Sequence, residues 1–473
     1  MSKYSKKNSE IKRKIHSVEA ADEQITGRGG LSLFVNYLDN IGIFNLFLLP
    51  FFGNLRKNKK GSSVYDIFMQ LFAFFIDGTS RHLSYFDHLK QDEAYARAIE
   101  TDPAGLVSSH TVKRFFQAFS WPLIQSFRHI LLSIFIWRLT ITKPDLIKLD
   151  LDAMVMDNDQ AEKKEGVKPT YKKRKGFNAL QLTWDGILVD SELRSGEKHS
   201  NHGESAQKMI RRAVERIRSR YSQDVPILIH MDAGFMDQKL LAFLEELGVG
   251  YICGGKLYED ITEFISKVPH KGWKRYFGSG DVHSSQIWEY VEFGDRRQSW
   301  KKFRRAIFTR PLSENGQVLL PLARPCQVLY TNIGQGYAID EQLQNAGFDS
   351  LLKARGLIRC YHQRGESELT FRAFKEFGSE QLPFNRFRPN AAFYYCMVLC
   401  FNLYETFKED VCEEVVPIAS YPETLRRKVI DIGARIVKRS REFILKVPEA
   451  IFDTLNFTDL WSRSNNPPRL ITG

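Results

Sequence analysis

The chain has 473 residues, of which 43% are hydrophobic and 13% aromatic. This content is ample for large apolar cores and excludes a disordered chain, and the length corresponds to about three domains. Lys and Arg number 68 against 56 Asp and Glu, a net charge of +12. A charge of this size favours a polyanionic partner, either nucleic acid or an anionic membrane.

A membrane is the weaker of these two interpretations. The most apolar stretch, residues 41–52, contains Asn45 and Pro50 and is too short to span a bilayer. The charged residues 1–16 have no apolar segment and predict no signal peptide. The six cysteines are scattered along a large chain, which predicts reduced thiols and a cytoplasmic protein.

Residues 1–140 are predicted to form a basic arm and a helical DNA-binding domain. Apolar residues recur at helical spacing in three segments, 31–48, 63–76 and 111–139. A helix that begins near Ser108 carries Lys113 and Arg114 in its first turns, which is compatible with a DNA contact. A helix of an ordinary bundle is the alternative interpretation.

An α/β region is predicted over residues 141–254. Residues 146–156 alternate between apolar and charged side chains, and two apolar runs flank Asp185 and Gly186, a strong hairpin signal. The pattern then alternates as helix, strand, helix and strand, over residues 201–221, 225–231, 238–247 and 250–253. This order predicts a mixed α/β sheet.

Residues 255–335 break this alternation. Short aromatic, β-prone runs are separated by Gly and Pro, which predicts an antiparallel insertion. Helical patterns resume over residues 336–410, with a break around Pro383 to Pro389. The final region, 411–473, is basic, since residues 422–448 hold eight Lys or Arg against three acids.

Two carboxylates are candidate metal ligands. Asp152 lies near the end of one predicted strand, and Asp232 directly follows another, in the segment His230-Met-Asp-Ala-Gly-Phe. Carboxylates at the ends of neighbouring strands converge on one point, and their mutual repulsion favours a hard cation such as Mg²⁺ between them. For either Asp alone, a turn at the end of a strand is a sufficient explanation.

A third polar group lies on the helical pattern of residues 359–375. At about 100° per residue, one arc of about 60° on this predicted helix carries four side chains: Tyr361, Arg364, Glu368 and Lys375. Glu366 falls on the other side. An amphipathic helix places charges on its solvent face in any case, but this does not explain why a Tyr joins them.

These residues carry a resemblance to a known family. Their spacing, Tyr-(x2)-Arg-(x3)-Glu-(x6)-Lys, resembles the signature of one branch of bacterial insertion-sequence transposases. Segments 149–153 and 232–235 resemble the two Asp motifs of that family, and the similarity covers roughly residues 146–446. The resemblance implies an α/β fold with an RNase H-like core, interrupted by the β-rich insertion at 255–335 and preceded by the helical N-terminal domain.

The resemblance also implies catalytic and metal-binding roles for Asp152, Asp232 and Glu368. Ala153 and Met154 follow the first Asp where the family usually has Ser or Thr. Asp150 is therefore an alternative, although the family pattern favours Asp152. Two Mg²⁺ ions, or Mn²⁺ in their place, would activate a water for attack on a DNA phosphodiester, and the freed 3′-OH would be the next nucleophile.

Candidate DNA contacts extend around this site. By resemblance, Tyr361, Arg364 and Lys375 would hold phosphates beside the scissile bond. Three basic runs, 163–175, 296–310 and 426–446, fit a DNA path, with solvated surface as the alternative for each. The first run ends in four consecutive cations, Lys172, Lys173, Arg174 and Lys175.

An aromatic residue of the insertion, Trp288 or Trp300, is a candidate to hold a flipped base, with core packing as the alternative.

The leading hypothesis is a cut-and-paste DNA transposase, a magnesium-dependent enzyme that cleaves and joins insertion-sequence ends. Its partners would be terminal inverted repeats and target DNA, and it would act as a homodimer in the bacterial cytoplasm, at the nucleoid. The segment after Phe387 is the predicted dimer surface, and burial of its apolar run 391–404 in its own core is the simpler account. The alternatives are a non-catalytic DNA-binding derivative and a metal-dependent nuclease without strand transfer.

Overall fold

The structure is a computed structural model. It describes residues 15, 17–20, 22–56, 61–198, 203–277, 287–312 and 326–471, without the side chains of residues 365–367. Most of the predicted basic arm and part of the predicted antiparallel insertion lie outside these residues.

The strands of the described residues are β1 (Ile25–Thr26), β2 (Ile147–Asp157), β3 (Lys168–Pro169), β4 (Lys175–Trp184), β5 (Ile187–Glu192), β6 (Ile227–Met231), β7 (Gly250–Gly255), β8 (Lys274–Phe277), β9 (Ile287–Asp295), β10 (Arg304–Leu312), β11 (Gln327–Thr331), β12 (Ala434–Arg439) and β13 (Glu442–Lys446).

The α-helices of the described residues are α1 (Leu31–Ile41), α2 (Leu49–Phe52), α3 (Val64–Asp77), α4 (Tyr85–Leu89), α5 (Glu93–Ala98), α6 (Ser109–Gln117), α7 (Trp121–Thr142), α8 (Ser205–Arg220), α9 (Gln238–Glu246), α10 (Glu259–Ser266), α11 (Ala338–Asn345), α12 (Ala354–His362), α13 (Gly365–Phe377), α14 (Phe387–Cys412), α15 (Pro422–Leu425), α16 (Glu449–Thr454) and α17 (Phe457–Asn465).

A large mixed sheet organises the chain. Its strands follow the order β3-β4-β2-β6-β7-β11-β10-β9-β8, and β5 also pairs with β4. β2, β6 and β7 are parallel, whereas β4 and β5 run antiparallel to their neighbours. The predicted hairpin is confirmed, since Asp185 and Gly186 have the positive φ values of 44° and 83° that a tight turn between β4 and β5 requires.

The β-prone segment after residue 255 extends this same sheet. β8, β9, β10 and β11 pair with one another in antiparallel fashion, and β11 pairs with β7. The helical pattern predicted over 111–139 is confirmed as two helices, because α6 ends at Gln117 and α7 begins at Trp121. Pro122 favours such a start, since proline fits the first turn of a helix but not its interior.

The two faces of the sheet have different coverings. Leu149, Leu151 and Met231 pack on one face with apolar residues of α8 and α9. Leu228 and Ile252 point to the other face and pack with apolar residues of α12. Since side chains alternate along a strand, Asp150, Asp152 and His230 share the face that α12 covers.

One apolar core joins both ends of the chain. The N-terminal helices pack around α14, whose residues 389–408 are all buried, and the core includes Cys396 and Cys400. The simpler account of the apolar run 391–404, burial in its own core, is therefore confirmed, and a dimer surface elsewhere in the segment after Phe387 stays a prediction. The β1 strand also pairs with β12, so the chain ends share a second sheet.

No single helix in the described ranges is both long and apolar enough to cross a membrane. Two bent pairs of segments meet that test by length and composition, Leu31–Ile41 with Phe44–Leu55 and Ser109–Gln117 with Trp121–Thr142.

A buried ion pair fixes α7 to the sheet. Asp190 of β5 has a side chain that is 0% exposed, and it accepts hydrogen bonds from Nε and Nη2 of Arg128 at 2.6 and 2.8 Å. Arg212 of α8 approaches the same carboxylate at 3.2 Å. This one carboxylate therefore connects two helices to the sheet.

Replacing Asp190 with Ala should lower the free energy of unfolding by about 3–5 kcal/mol, because it leaves Arg128 buried without its counter-charge. Urea unfolding followed by circular dichroism measures the effect. Glu263→Ala is the control, since it removes an exposed pair with Lys267 one helical turn away, and it should change stability by less than about 0.5 kcal/mol. Similar small effects of both substitutions would contradict this role of Asp190.

Candidate active site

Two carboxylates lie side by side where β2 and β6 stop pairing. Leu151 pairs with Met231 in parallel register, so Asp152 and Asp232 are the next residues on adjacent strands, which are about 4.8 Å apart. The side chain of Asp152 accepts a hydrogen bond from the amide of Ala153 at 2.7 Å. That of Asp232 accepts one from the amide of Gly234 at 2.8 Å. The predicted convergence of the two Asp residues is thus supported by their register.

A guanidinium group balances this negative charge. Nη2 of Arg364 lies 3.2 Å from Oδ2 of Asp152, and both side chains are largely buried. Burial raises the pKa of Asp152, Arg364 opposes this shift, and the nearby charge of Asp232 adds to it, so the pKa stays above its ordinary value. A second cation at this point would therefore be electrostatically favourable.

Tyr361 lies against Arg364, beside the two carboxylates. Its phenol oxygen accepts a hydrogen bond from Nη1 of Arg364 at 3.3 Å, and burial raises its pKa. The phenol also lies against the backbone of β7, where a Cβ on Gly254 would come within 2.6 Å of the phenol oxygen. Sequence reasoning missed Gly254, although the Gly-Gly pair at the end of a strand was a signal for a close approach.

The predicted continuous helix through residues 359–375 is wrong. α12 ends at His362 and α13 begins at Gly365, and the amide of Arg364 bonds to the carbonyl of Tyr361 at 3.1 Å, a three-residue spacing. Gly365 favours this break because glycine is a weak helix former. The single 60° arc therefore does not exist.

The break separates the four residues of the predicted arc. Tyr361 and Arg364 contact each other at the carboxylates, whereas Glu368 is exposed in the first turn of α13. Lys375 donates to Glu380 at 2.7 Å, and Glu380 in turn accepts the amide of Asp157 at 3.1 Å. Lys375 thus lies toward the far end of β2.

In the described part of the chain, no three His, Cys, Asp or Glu residues lie close enough together to hold a metal ion. Glu368 is therefore not gathered with Asp152 and Asp232. The two aspartates by themselves still suit a hard cation, because Mg²⁺ takes one or two carboxylates together with water and phosphate oxygens.

Asp150 has a different partner. Its carboxylate lies 2.9 Å from Nδ1 of His230, and Nε2 of His230 lies 3.3 Å from the sulfur of Cys360. Burial alone would lower the pKa of His230, but these hydrogen bonds raise it to about 9. This buried row connects β2, β6 and α12, and it favours Asp152 over Asp150 as the residue that faces a ligand.

The first basic run lies at the start of β4, near Asp157 at the end of β2, and Tyr171 reaches from it toward the carboxylates. Lys172, Lys173, Arg174 and Lys175 are exposed in the turn before β4 and at its start. Arg174 pairs with Asp157 at 2.8 Å. Tyr171, which sequence reasoning missed, donates to the carbonyl of Ala153 at 3.3 Å while its ring is half exposed. Burial raises the pKa of Tyr171, and the charges of Asp152 and Asp232 raise it further.

The second basic run, 296–310, is largely neutralised by neighbouring acids. Five of its cations form ion pairs, which are Arg297 with Asp260 and Asp295, Lys302 and Arg304 with Glu245, Arg305 with Glu292, and Arg310 with Glu289. These acids lie elsewhere in the sequence, so the run appeared unbalanced. It stabilises the sheet rather than offering a strongly cationic surface.

Both candidate tryptophans of the β-rich segment are core residues. Trp300 is 7% exposed and packs against Tyr330 with ring centroids 5.2 Å apart. Trp288 is equally buried and packs 4.8 Å from His362. Neither ring can accept a stacked base without opening the core, so the core-packing alternative is the correct one.

The third basic run, 426–446, contains both buried and exposed cations. Arg426 is largely buried and donates to the carbonyls of Phe75 and Ile76 at 2.8 Å, which is a structural role. Lys438 and Arg439, on β12, are exposed.

The sequence matches the family described as Transposase DDE domain group 1 over residues 8–466. The chain therefore belongs to this family of DDE transposases. No curated protein sequence matches it. A similar solved structure is described as the cryo-EM structure of a piggyBac transposase synaptic complex with hairpin DNA. It is 11% identical with a TM-score of 0.41, and the match covers 86% of this chain and 81% of that chain.

Replacing Gly254 with Ala should lower transposase activity by about 100-fold, because the added methyl group displaces Tyr361 and with it the partner of Arg364. The assay is cleavage of a plasmid that carries the gene with its flanking DNA. Gly27→Ala is the control, since no atom lies within 4 Å of the added Cβ. Wild-type activity in Gly254→Ala would contradict the positioning of Tyr361 described above.

Proposed function

We propose that the protein is a cut-and-paste DNA transposase that cleaves and joins the ends of an insertion sequence. Membership of a DDE transposase family supports the class of activity. The observation that carries the proposal for the site is the pair Asp152 and Asp232, held side by side by the parallel register of β2 and β6 with Arg364 against them.

We assign an RNase H-like core to residues 141–254 and 336–410. The strand order β5-β4-β2-β6-β7, with the first three antiparallel and the last three parallel, supports this assignment. Residues 255–335 are the β-rich insertion, 1–140 the arm and helical DNA-binding domain, and 411–473 the basic C-terminal region.

Asp152, Asp232 and Glu368 would hold the metal, Mg²⁺ or Mn²⁺. Two such ions would activate water and stabilise charge on the attacked phosphate. Glu368 lies one turn beyond Arg364, so a change of backbone at the break between α12 and α13 would carry it toward the aspartates. The same change would free Arg364 from Asp152.

The remaining residues of the site would bind the DNA backbone. Arg364, once free of Asp152, can hold a phosphate with two hydrogen bonds, and Tyr361 keeps the guanidinium oriented. Lys375 and the basic turn 172–175 extend the cationic surface toward Asp157 at the end of β2. These residues match the Tyr-Arg-Glu-Lys branch of bacterial insertion-sequence transposases, and we place the protein in that branch.

Joining requires two element ends in one complex, and we propose a homodimer for that complex. Its surface lies outside the buried run 391–404 of α14. DNA would favour this assembly because it neutralises the net charge of +12, which opposes self-association of the free protein.

Asp152→Asn, Asp232→Asn and Glu368→Gln should each abolish Mg²⁺-dependent cleavage and strand transfer while DNA binding is kept. Each change removes a metal ligand and the charge stabilisation that the ion supplies, worth several kcal/mol. Glu366→Gln is the matched control and should stay active. An inactive Glu366→Gln with an active Glu368→Gln would reverse the assignment, and cut ends that never join would indicate a nuclease.

Replacing both Lys172 and Lys173 with Ala should weaken DNA binding and reduce the slope of log affinity against log salt by about 1.8, because two phosphate contacts are lost. Titrations between about 50 and 200 mM salt measure this slope. Lys90→Ala/Lys271→Ala removes the same charge from exposed positions elsewhere and should leave the slope nearly unchanged. Equal slopes for the two double variants would show that the turn is solvated surface.

A further inference from the structure

A cleft of about 1150 Å³ opens at the other end of β4 from the carboxylates. Its walls are the C-terminal part of α6, the start of α7, the loop after β5 and the start of α14. Ser195 in this wall bridges to Phe177 of β4, whereas Asp152 pairs with Gln181. Four residues of strand separate the two places, about 14 Å at 3.4 Å per residue. The cleft is therefore a site distinct from the carboxylates.

The walls of this cleft are cationic. Five basic residues line it, Lys113, Arg194, Lys198, Arg386 and Arg388, against two acids. Lys113 lies on α6, and Arg386 and Arg388 lie at the start of α14, where Nη2 of Arg388 donates to the carbonyl of Gln117 at 3.5 Å; all three are exposed. Cations from two elements around one cleft fit a ligand with a repeating negative charge.

Both acids of the cleft already have partners within the protein. Glu165 accepts the amide of Phe387 at 2.9 Å, at the start of α14, where a carboxylate is favourable to the helix dipole. Glu192 accepts the hydroxyl of Ser205 at 3.0 Å and lies 3.6 Å from Nη1 of Arg128. With five cations against these two partnered acids, the cleft stays positive.

An exposed indole lies among these cations. Trp121 is 48% exposed, and its ring packs against Phe387 with centroids 6.0 Å apart. It is the first residue of α7 and precedes Pro122, so its backbone is fixed. A single exposed aromatic residue is ordinary at a protein surface. Inside a cationic cleft, however, an aromatic face is the group on which an unpaired base stacks.

We propose that this cleft binds single-stranded DNA, with phosphates at Lys113, Arg386 and Arg388 and an unpaired base against Trp121. A duplex would offer the indole only the edges of its paired bases, whereas a single strand offers their faces. The inference rests on the proposed function, because strand cleavage at an element end is the step that supplies unpaired nucleotides near the carboxylates.

The test uses an oligodeoxythymidine of about 12 residues, without divalent ions, and follows tryptophan fluorescence. Binding should quench the emission of wild type. Trp121→Phe should lose this quenching, and Trp121→Ala should weaken affinity about 5- to 100-fold, the effect of one lost stacked base. Trp461, which is 40% exposed on α17, provides the control. Trp461→Phe should keep both quenching and affinity.

Arg386→Ala/Arg388→Ala provides a second test in which Trp121 is intact. Its salt slope should fall by about 1.4, since each phosphate contact of a single strand contributes about 0.7. A duplex of the same length should quench less than the single strand. Quenching that survives in Trp121→Phe, an unchanged slope, or stronger quenching by the duplex would each overturn the proposal.

The test of the cleft can be distinguished from the test of the proposed active site. Asp152→Asn, which should not cleave, should bind the oligonucleotide and show full quenching through Trp121. If the carboxylate variants still cleave DNA and Trp121 is still quenched, the result contradicts the proposed active site and supports binding of single-stranded DNA in the cleft. If the carboxylate variants lose cleavage and Trp121 is never quenched, the cleft fails and the active site stands.

Discussion

The candidate active site depends on the repulsion between the carboxylates of Asp152 and Asp232, because the backbone holds these two residues side by side. The register of β2 and β6 fixes Asp152 and Asp232 as neighbours, and burial makes the negative charge of Asp152 costly. Positive charge must therefore be present at this point. Arg364 supplies it in this structure, and a divalent cation with bound phosphate is the alternative that catalysis would use. Arg364 and a divalent cation would therefore compete for the carboxylate of Asp152.

Residues around the site hold its charged groups in place. The Asp150–His230–Cys360 row connects the two strands to α12, and Gly254 leaves room for Tyr361 beside Arg364. The break after α12 allows Arg364 to reach the carboxylate while Glu368 stays in the next helix. This whole arrangement rests on a sheet that α14 and the N-terminal helices hold through one common core.

Local patterns predicted the sheet well. The alternation in β2, the turn at Asp185 and Gly186, and the strand before Asp232 are properties of neighbouring residues, and the structure agrees with each. Features that depend on distant residues could not be predicted. The ion pairs of run 296–310 need acids from three other parts of the chain, α9, α10 and β9, and the burial of Trp300 depends on Tyr330. The break near Arg364 could not be predicted because helical periodicity is almost unchanged across the two residues between α12 and α13.

The most direct measurement is anomalous diffraction from crystals of the protein with element-end DNA and Mn²⁺ in place of Mg²⁺. The account predicts manganese at Asp152, Asp232 and Glu368, with Arg364 moved from Asp152 to a DNA phosphate. Manganese bound at other residues, or an Arg364–Asp152 pair that persists in a cleavage-competent complex, would contradict it.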